Sequence, residues 1–158
     1  MTFSGIGYDL HRLREGCKLM IGGIEVPFEK GSVGHSDGDV LSHALCDALL
    51  GTACLGDIGT HFPDTDPRWK GVSSLLFLDH ARQLLEDRRL HIVHADAVVI
   101  CERPKLGPHF PAMRAALAKS LGVAAEQISL KAKTNEGLGE IGRGEAIACH
   151  AIATVRSH

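Results

Sequence analysis

A chain of 158 residues with 44% apolar and 23% charged side chains has room for one packed core, which excludes a disordered or multi-domain protein. Its formal net charge of -2, with ten histidines counted as neutral and no lysine or arginine run, excludes a nucleic-acid surface, and no stretch approaches the roughly 18 apolar residues of a membrane span. Five scattered cysteines (Cys17, Cys46, Cys54, Cys101, Cys149) without a C-x-x-C pair, and an N-terminus without a charged leader and apolar run, predict reduced thiols in a cytoplasmic protein.

Phe3 to Tyr8 and Lys18 to Phe28 read as short strands, the second broken at Gly22-Gly23 into a hairpin. Asp9-Leu10-His11 follows the first. Residues two apart on an extended segment point to one side, so Asp9 and His11 can face one ion while Leu10 packs the other way. Glu29 to Gly38 reads as a polar loop containing His35-Ser36-Asp37-Gly38-Asp39. From Asp39 to about Cys54 the spacing of Val40, Ala44, Ala48 and Leu49 predicts a helix, with Ser36 or Asp37 to cap it and Gly56 to end it. His43, early in that helix, completes a His/His/carboxylate set that suits zinc with one coordination position open, and an open position predicts chemistry.

The following loop carries Asp57, Gly59, Pro63, Asp64, Asp66 and Pro67, and its density of carboxylates and turn formers suits a site loop better than a linker. Ser73 or Ser74 starts a second helix to about Arg89, and Ile92 to Cys101 is a strand rich in β-branched residues. Pro104 to Pro111 is a turn, Pro111 opens a helix ending before Gly122, and Ile128 to Thr134 and Ala146 to Val155 are closing strands. The expected fold is one α/β domain over residues 1–158, an α+β two-layer arrangement with a four-stranded main sheet, helices on one face and a small hairpin.

Gly137-Leu138-Gly139-Glu140-Ile141-Gly142 spells G-x-G-x-x-G, yet the segment after it is strand-like and no acidic residue follows Glu145, so a dinucleotide loop is rejected in favour of a tight return loop. Arg143 beside it could reach a phosphate or simply be exposed. His35 lies in the loop entering the helix, whose free N–H groups favour an anion. Ser36, Asp37 and Asp39 read as caps, with Asp37 either capping or supporting a ligand from behind. His61, His80, His91, His94, His109, His150 and His158 show no partner pattern and read as surface or packing residues.

In order along the chain stand Asp9-x-His11, H-S-D-G-D at 35–39, His43, Gly56-Asp57-Ile58-Gly59, F-P-D-T-D-P at 62–67, Arg103-Pro104-Lys105, Lys131-Ala132-Lys133-Thr134-Asn135-Glu136 and Gly142-Arg143-Gly144-Glu145. From about Ser4 to Val155 this pattern resembles the 2-C-methyl-D-erythritol 2,4-cyclodiphosphate synthase family. The resemblance implies an enzyme of the non-mevalonate isoprenoid precursor pathway. It would turn 4-diphosphocytidyl-2-C-methyl-D-erythritol 2-phosphate into the cyclic diphosphate and CMP by intramolecular phosphoryl transfer.

Carried over by motif, Asp9, His11 and His43 bind one Zn2+ per chain, and Glu136 holds Mg2+ or Mn2+ with the substrate. His35 and Thr134 stabilise the transition state. Asp57, Ile58 and Gly59 grip the erythritol, and Phe62, Asp64 and Asp66 line its pocket. Cys101, Pro104, Lys105, Leu106 and Gly107 enclose cytosine, and Asp9, His11, Ser36, Lys133, Asn135, Glu140 and Arg143 are further substrate contacts. The resemblance also implies a homotrimer whose active sites lie between subunits. One departure is Glu140, which stands where many relatives carry phenylalanine. On the residues alone, a zinc phosphohydrolase using a metal-activated water and a non-catalytic trimeric nucleotide-binding regulator stay open.

Overall fold

Alternation along the first strand sets the architecture. In β1 (Thr2–Glu15), Gly5, Gly7 and Leu13 are buried and Asp9 and His11 half-buried on one side, while Ser4, Ile6, Tyr8, Leu10 and Arg12 are exposed on the other. The strand is therefore longer than the Phe3–Tyr8 expected and carries the Asp9-x-His11 pair within it. The computed structural model describes residues 1–157; His158, expected at the surface, lies outside the described residues.

A five-stranded sheet and a separate two-stranded hairpin make a mixed α+β domain. The hairpin joins β2 (Leu19–Ile21) to β3 (Ile24–Val26) through Gly22 and Gly23, both at positive φ as a tight two-residue hairpin turn requires. The expected loop at 29–38 instead begins with a strand, β4 (Lys30–Val33), paired with β1 from Arg12 and Val33 to Glu15 and Lys30. The main sheet thus has five strands rather than four. Gly31 contributes to this: a Cβ there would stand 2.0 Å from the Lys18 carbonyl oxygen, so close approach of the chain imposes a glycine inside the strand, and Val33 is its single β-branched residue.

Helix α1 (Val40–Thr52) lies on the glycine side of β1. A Cβ on Gly5 would stand 2.1 Å from the Ala48 carbonyl oxygen and one on Gly7 1.9 Å from that of Ala44, so the two glycines let helix backbone meet strand backbone. Leu41, Leu45 and Leu49 are buried beneath the helix, each contributing about 1.5–3 kcal/mol. The cap of α1 is Asp39, not Ser36 or Asp37. Its fully buried carboxylate accepts from Ser42 N, Ser42 Oγ, Gly22 N and Gly23 N, tying the helix start to the hairpin turn. The helix stops at Thr52, before the expected Cys54.

A one-turn α2 (Ile58–His61) follows, then α3 (Leu75–Glu86), β5 (Leu90–Ile100) and α4 (Phe110–Leu121), which ends at Gly122 in the left-handed conformation. Next come β6 (Ile128–Lys133), a one-turn α5 (Gly139–Gly142) and β7 (Ala146–Ser157). Strand order is β4-β1-β7-β5-β6, antiparallel except for the β5–β6 pair. The Gly137–Gly142 stretch does fold back on itself, since a Cβ on Gly142 would meet the Gly137 carbonyl carbon at 2.1 Å. The other sheet face is uncovered and carries an apolar patch, with Ile6 77%, Tyr8 50%, Leu10 48% and Ile152 52% exposed, beside the polar Ser4, Arg12 and His150. No helix among the described residues is long and apolar enough to cross a membrane.

Candidate functional site

Asp9 and His11 project from β1 toward α1, and His43 meets them from the start of that helix. Asp9 Oδ2 is 2.8 Å from His11 Nε2 and 3.0 Å from His43 Nδ1, and the two ring nitrogens are 3.0 Å apart. The other nitrogen of each ring is already engaged. His11 Nδ1 donates to the Val33 carbonyl oxygen at 3.0 Å, and His43 Nε2 donates to Ser74 Oγ at 2.7 Å. With both rings neutral, the nitrogens facing Asp9 are then lone pairs, so three acceptors converge, an arrangement that calls for a metal cation or, in its place, a proton on a ring.

The chemistry of this donor set fits zinc. Tetrahedral ligands about 2.0–2.1 Å from zinc stand roughly 3.3 Å apart, a few tenths of an ångström beyond the observed spacing. The electrostatics point the same way. Burial works against a charge on Asp9, but hydrogen bonds and charge from His11 and His43 outweigh it and bring the carboxyl down to about 2. Burial likewise opposes charge on His11, and Asp9 reverses that and raises it.

Around the triad, two loops are laced together. Gly71 N donates to the His35 carbonyl oxygen at 2.8 Å, Asp37 N to that of Val72 at 3.1 Å, and the His35 ring Nε2 lies 3.1 Å from the Asp66 carbonyl oxygen. Asp57 caps α2 through Thr60 N and Thr60 Oγ1, and those donors hold its carboxyl below the usual range. Phe62 is half-buried, with its ring centroid 4.3 Å from that of Phe77 and 5.1 Å from that of Trp69, so it anchors the loop while Asp64 stays exposed.

A cavity of about 380 Å³ opens at the ends of β5 and β6, walled by Cys101, Pro104, Lys105, Leu106 and Gly107 on one side and Lys133 and Thr134 on the other. The Arg103-Pro104 peptide in its rim is cis. Burial pushes the Cys101 thiol up to about 11, so it lines the cavity as an apolar group. Glu102 Oε1 accepts from Asn135 N at 2.8 Å and Gly137 N at 3.1 Å, clamping the two walls together.

The profile described as the YgbB family matches residues 2–156. The 2-C-methyl-D-erythritol 2,4-cyclodiphosphate synthase of Gloeobacter violaceus is 57% identical over 94% of this chain and 91% of its own. The chain belongs to the 2-C-methyl-D-erythritol 2,4-cyclodiphosphate synthase family. A solved family structure in its CDP-bound form superposes with a TM-score of 0.89 at 42% identity, covering 97% of this chain and 99% of that one. The bifunctional IspDF from Campylobacter jejuni matches at TM-score 0.96 and 36% identity, and there the chain spans only 43% of the relative's length.

The residues expected from the family pattern fall into separate groups. Asp9, His11, Ser36 and His43 gather at the triad, with His35 in the adjoining loop; Cys101 to Gly107 gather with Lys133 and Thr134. The Thr134 hydroxyl donates to Glu136 Oε1 at 3.2 Å, and Glu136 holds a left-handed backbone at φ 53°. Glu140 lines a different cavity of about 410 Å³ with Tyr8, Leu10 and Arg12, and Arg143 is engaged with Glu145 at 3.0 Å. Strand register places His11 opposite Ile147 and Ile100 opposite both Ala148 and Lys133. The triad and Thr134 therefore share one end of the sheet, three strands or roughly 14 Å apart.

Two contributors escaped the sequence. Glu102 serves loop N–H groups more than thirty residues away, and Ser74 serves a ring thirty-one residues before it. A cap-like serine and an acid beside a proline turn give no local hint of either task.

Proposed function

We propose that this chain converts 4-diphosphocytidyl-2-C-methyl-D-erythritol 2-phosphate into 2-C-methyl-D-erythritol 2,4-cyclodiphosphate and CMP. The observation that carries this reading is the three-acceptor His/His/Asp site at the same sheet end as a cavity sized for a base. A relative described with CDP bound supports a cytidine occupant. An oxygen of the substrate's 2-phosphate forms a bond to the β-phosphorus, the bond from that phosphorus to the bridging oxygen breaks, and CMP leaves with the electron pair. No water is consumed, which makes the reaction a phosphorus–oxygen lyase step.

Asp9, His11 and His43 would hold one Zn2+ per chain and Glu136 an Mg2+ or Mn2+, ions that supply the positive charge needed to bring anionic phosphates together. His35 and Thr134 present donors to the diphosphate in the transition state. Asp57, Ile58 and Gly59 hold the erythritol hydroxyls, with Phe62, Asp64 and Asp66 shaping that end. Cys101, Pro104, Lys105, Leu106 and Gly107 enclose cytosine, and Ser36, Lys133, Asn135, Glu140 and Arg143 make the remaining contacts. Because nucleophile and electrophile belong to one molecule, folding the substrate correctly supplies up to about 7–11 kcal/mol of the barrier reduction.

The uncovered apolar patch formed by Ile6, Tyr8, Leu10 and Ile152 supports a homotrimer, in which one subunit's cytidine cavity completes a neighbour's triad. Five unpaired cysteines support the cytoplasm as its compartment. Incubation with the substrate followed by phosphorus NMR tests the reaction. CMP with a cyclic diphosphate is expected. CMP with an open diphosphate would make the protein a phosphohydrolase and overturn the reading. Sedimentation of the purified protein as a monomer would remove the trimer.

A further inference from the structure

Ser74 occupies the residue position that caps α3, where a serine hydroxyl ordinarily accepts from the helix's free N–H groups. Here it makes no such bond. The residue is fully buried, and its Oγ sits between His43 Nε2, at 2.7 Å, and Asp37 Oδ1, to which it donates in a very short hydrogen bond. Asp37 grips the same residue a second time, its Oδ2 accepting from Ser74 N at 3.1 Å.

The protons run in one direction. An ionised carboxylate only accepts, so the Ser74 hydroxyl proton points to Asp37 and its oxygen lone pairs face His43. The imidazole must then carry its hydrogen on Nε2 and leave Nδ1 bare toward Asp9 and His11. Ser36 Oγ lies 3.0 Å from the same Nε2 and 3.2 Å from Ser74 Oγ, so it shares the pocket, but the Ser74 contact is the shorter.

We propose that Ser74 and Asp37 are positioning residues for the metal centre: Asp37 orients the Ser74 hydroxyl, and that hydroxyl fixes the tautomer and rotation of His43 as a ligand. This rests on reading Asp9, His11 and His43 as a zinc site. Partners behind a ligating histidine typically change metal affinity by 10–100-fold when removed, because the ring must otherwise be ordered at the moment of binding.

The test measures zinc affinity by chelator competition, the visible spectrum of the cobalt-loaded protein and the thermal midpoint of the metal-free protein, for the parent and for Ser74→Ala, Ser74→Thr, Asp37→Asn and His43→Ala. Ser74→Ala is expected to weaken zinc binding by about 10–100-fold and to alter the cobalt bands while leaving the metal-free midpoint close to the parent's. Threonine restores the hydroxyl and the affinity. Asp37→Asn, which keeps an acceptor but not the charge, gives a smaller loss in the same direction and carries the test should Ser74→Ala fail to fold. Parent-like zinc affinity in Ser74→Ala, with zinc lost in His43→Ala, overturns the relay and leaves the zinc reading standing. Parent-like affinity in His43→Ala removes the zinc reading and the relay with it. A weakened Ser74→Ala that threonine does not rescue, with an equally lowered metal-free midpoint, also overturns the proposal, since it marks a merely structural role.

Discussion

Replacing Gly7 by alanine tests whether the seating of α1 on β1 builds both the core and the proposed metal centre. The added methyl would stand 1.9 Å from the Ala44 carbonyl oxygen and 2.8 Å from Ala48 N. A comfortable carbon–oxygen contact is about 3.3 Å, so about 1.4 Å must be found between two backbones that no rotamer change can separate. Lifting the helix by about 1 Å forfeits up to half of the dispersion across its apolar face. Overpacking costs 1–3 kcal/mol in general, and this case belongs at the top, about 3 kcal/mol. In a domain of this size that lowers the thermal midpoint by about 6–12 °C. Asp9 is two residues from Gly7 and His43 adjoins Ala44, so the same shift pulls the donor atoms apart and weakens zinc binding at least about tenfold. Gly51 on the same helix is the internal control. A Cβ there meets Gly5 Cα at an ordinary 3.8 Å, and Gly51→Ala should stabilise by about 0.5 kcal/mol. Thermal unfolding with and without zinc reads both. A parent-like midpoint for Gly7→Ala, or equal losses in the two variants, would refute the reasoning.

Two further outcomes concern the buried Asp39 and the half-buried Asp9. Asp39→Ala strands the buried donors Gly22 N, Gly23 N, Ser42 N and Ser42 Oγ and should cost about 3–4 kcal/mol in urea unfolding; a loss below about 1 kcal/mol contradicts the capping role. In metal-free protein, Asp9 lies well below its ordinary 3.8, so its contribution of about 2 kcal/mol is present above that pH and fades as pH falls toward about 2. His11 is raised above its ordinary 6.5, so its contribution is full below that value and is lost as pH climbs through the raised one. The stability difference between the parent and Asp9→Asn, followed across pH with chelator present, should shrink at the acid end; a difference that persists unchanged to about pH 2 contradicts the pairing.

The convergence of Asp9, His11 and His43 was legible because a spacing of two on a strand and a histidine on the next helix are local patterns with one geometric meaning. The hairpin at Gly22-Gly23, α4 with its Gly122 stop and the return loop at 137–142 were legible for the same reason. β4 was not, because Lys30-Gly31-Ser32-Val33 owes its strand to pairing with Arg12–Glu15 and to the space Gly31 leaves for Lys18, neither of which shows in its own residues. Cap choice among Ser36, Asp37 and Asp39 likewise depended on where the β2–β3 turn docks. Glu102 and Ser74 act across loops distant in sequence, so their partners exist only once the sheet has formed.

The place of β7 in that sheet bears on how the protein is made. β7 follows every other strand in sequence yet lies between β1 and β5, with Thr2 facing Arg156 and Arg12 facing Ala146. β1 is made well before β7, and although β4 and α1 can reach it sooner, its long edge from Thr2 to Arg12 waits unpaired until β7 has been synthesised. Pairings of such long separation fold slowly and leave strand edges open to wrong partners. That end of the sheet therefore cannot be assembled piecemeal: the Asp9 and His11 pair on β1 and the cavity wall at the end of β5 are locked to each other only when β7 slides between them.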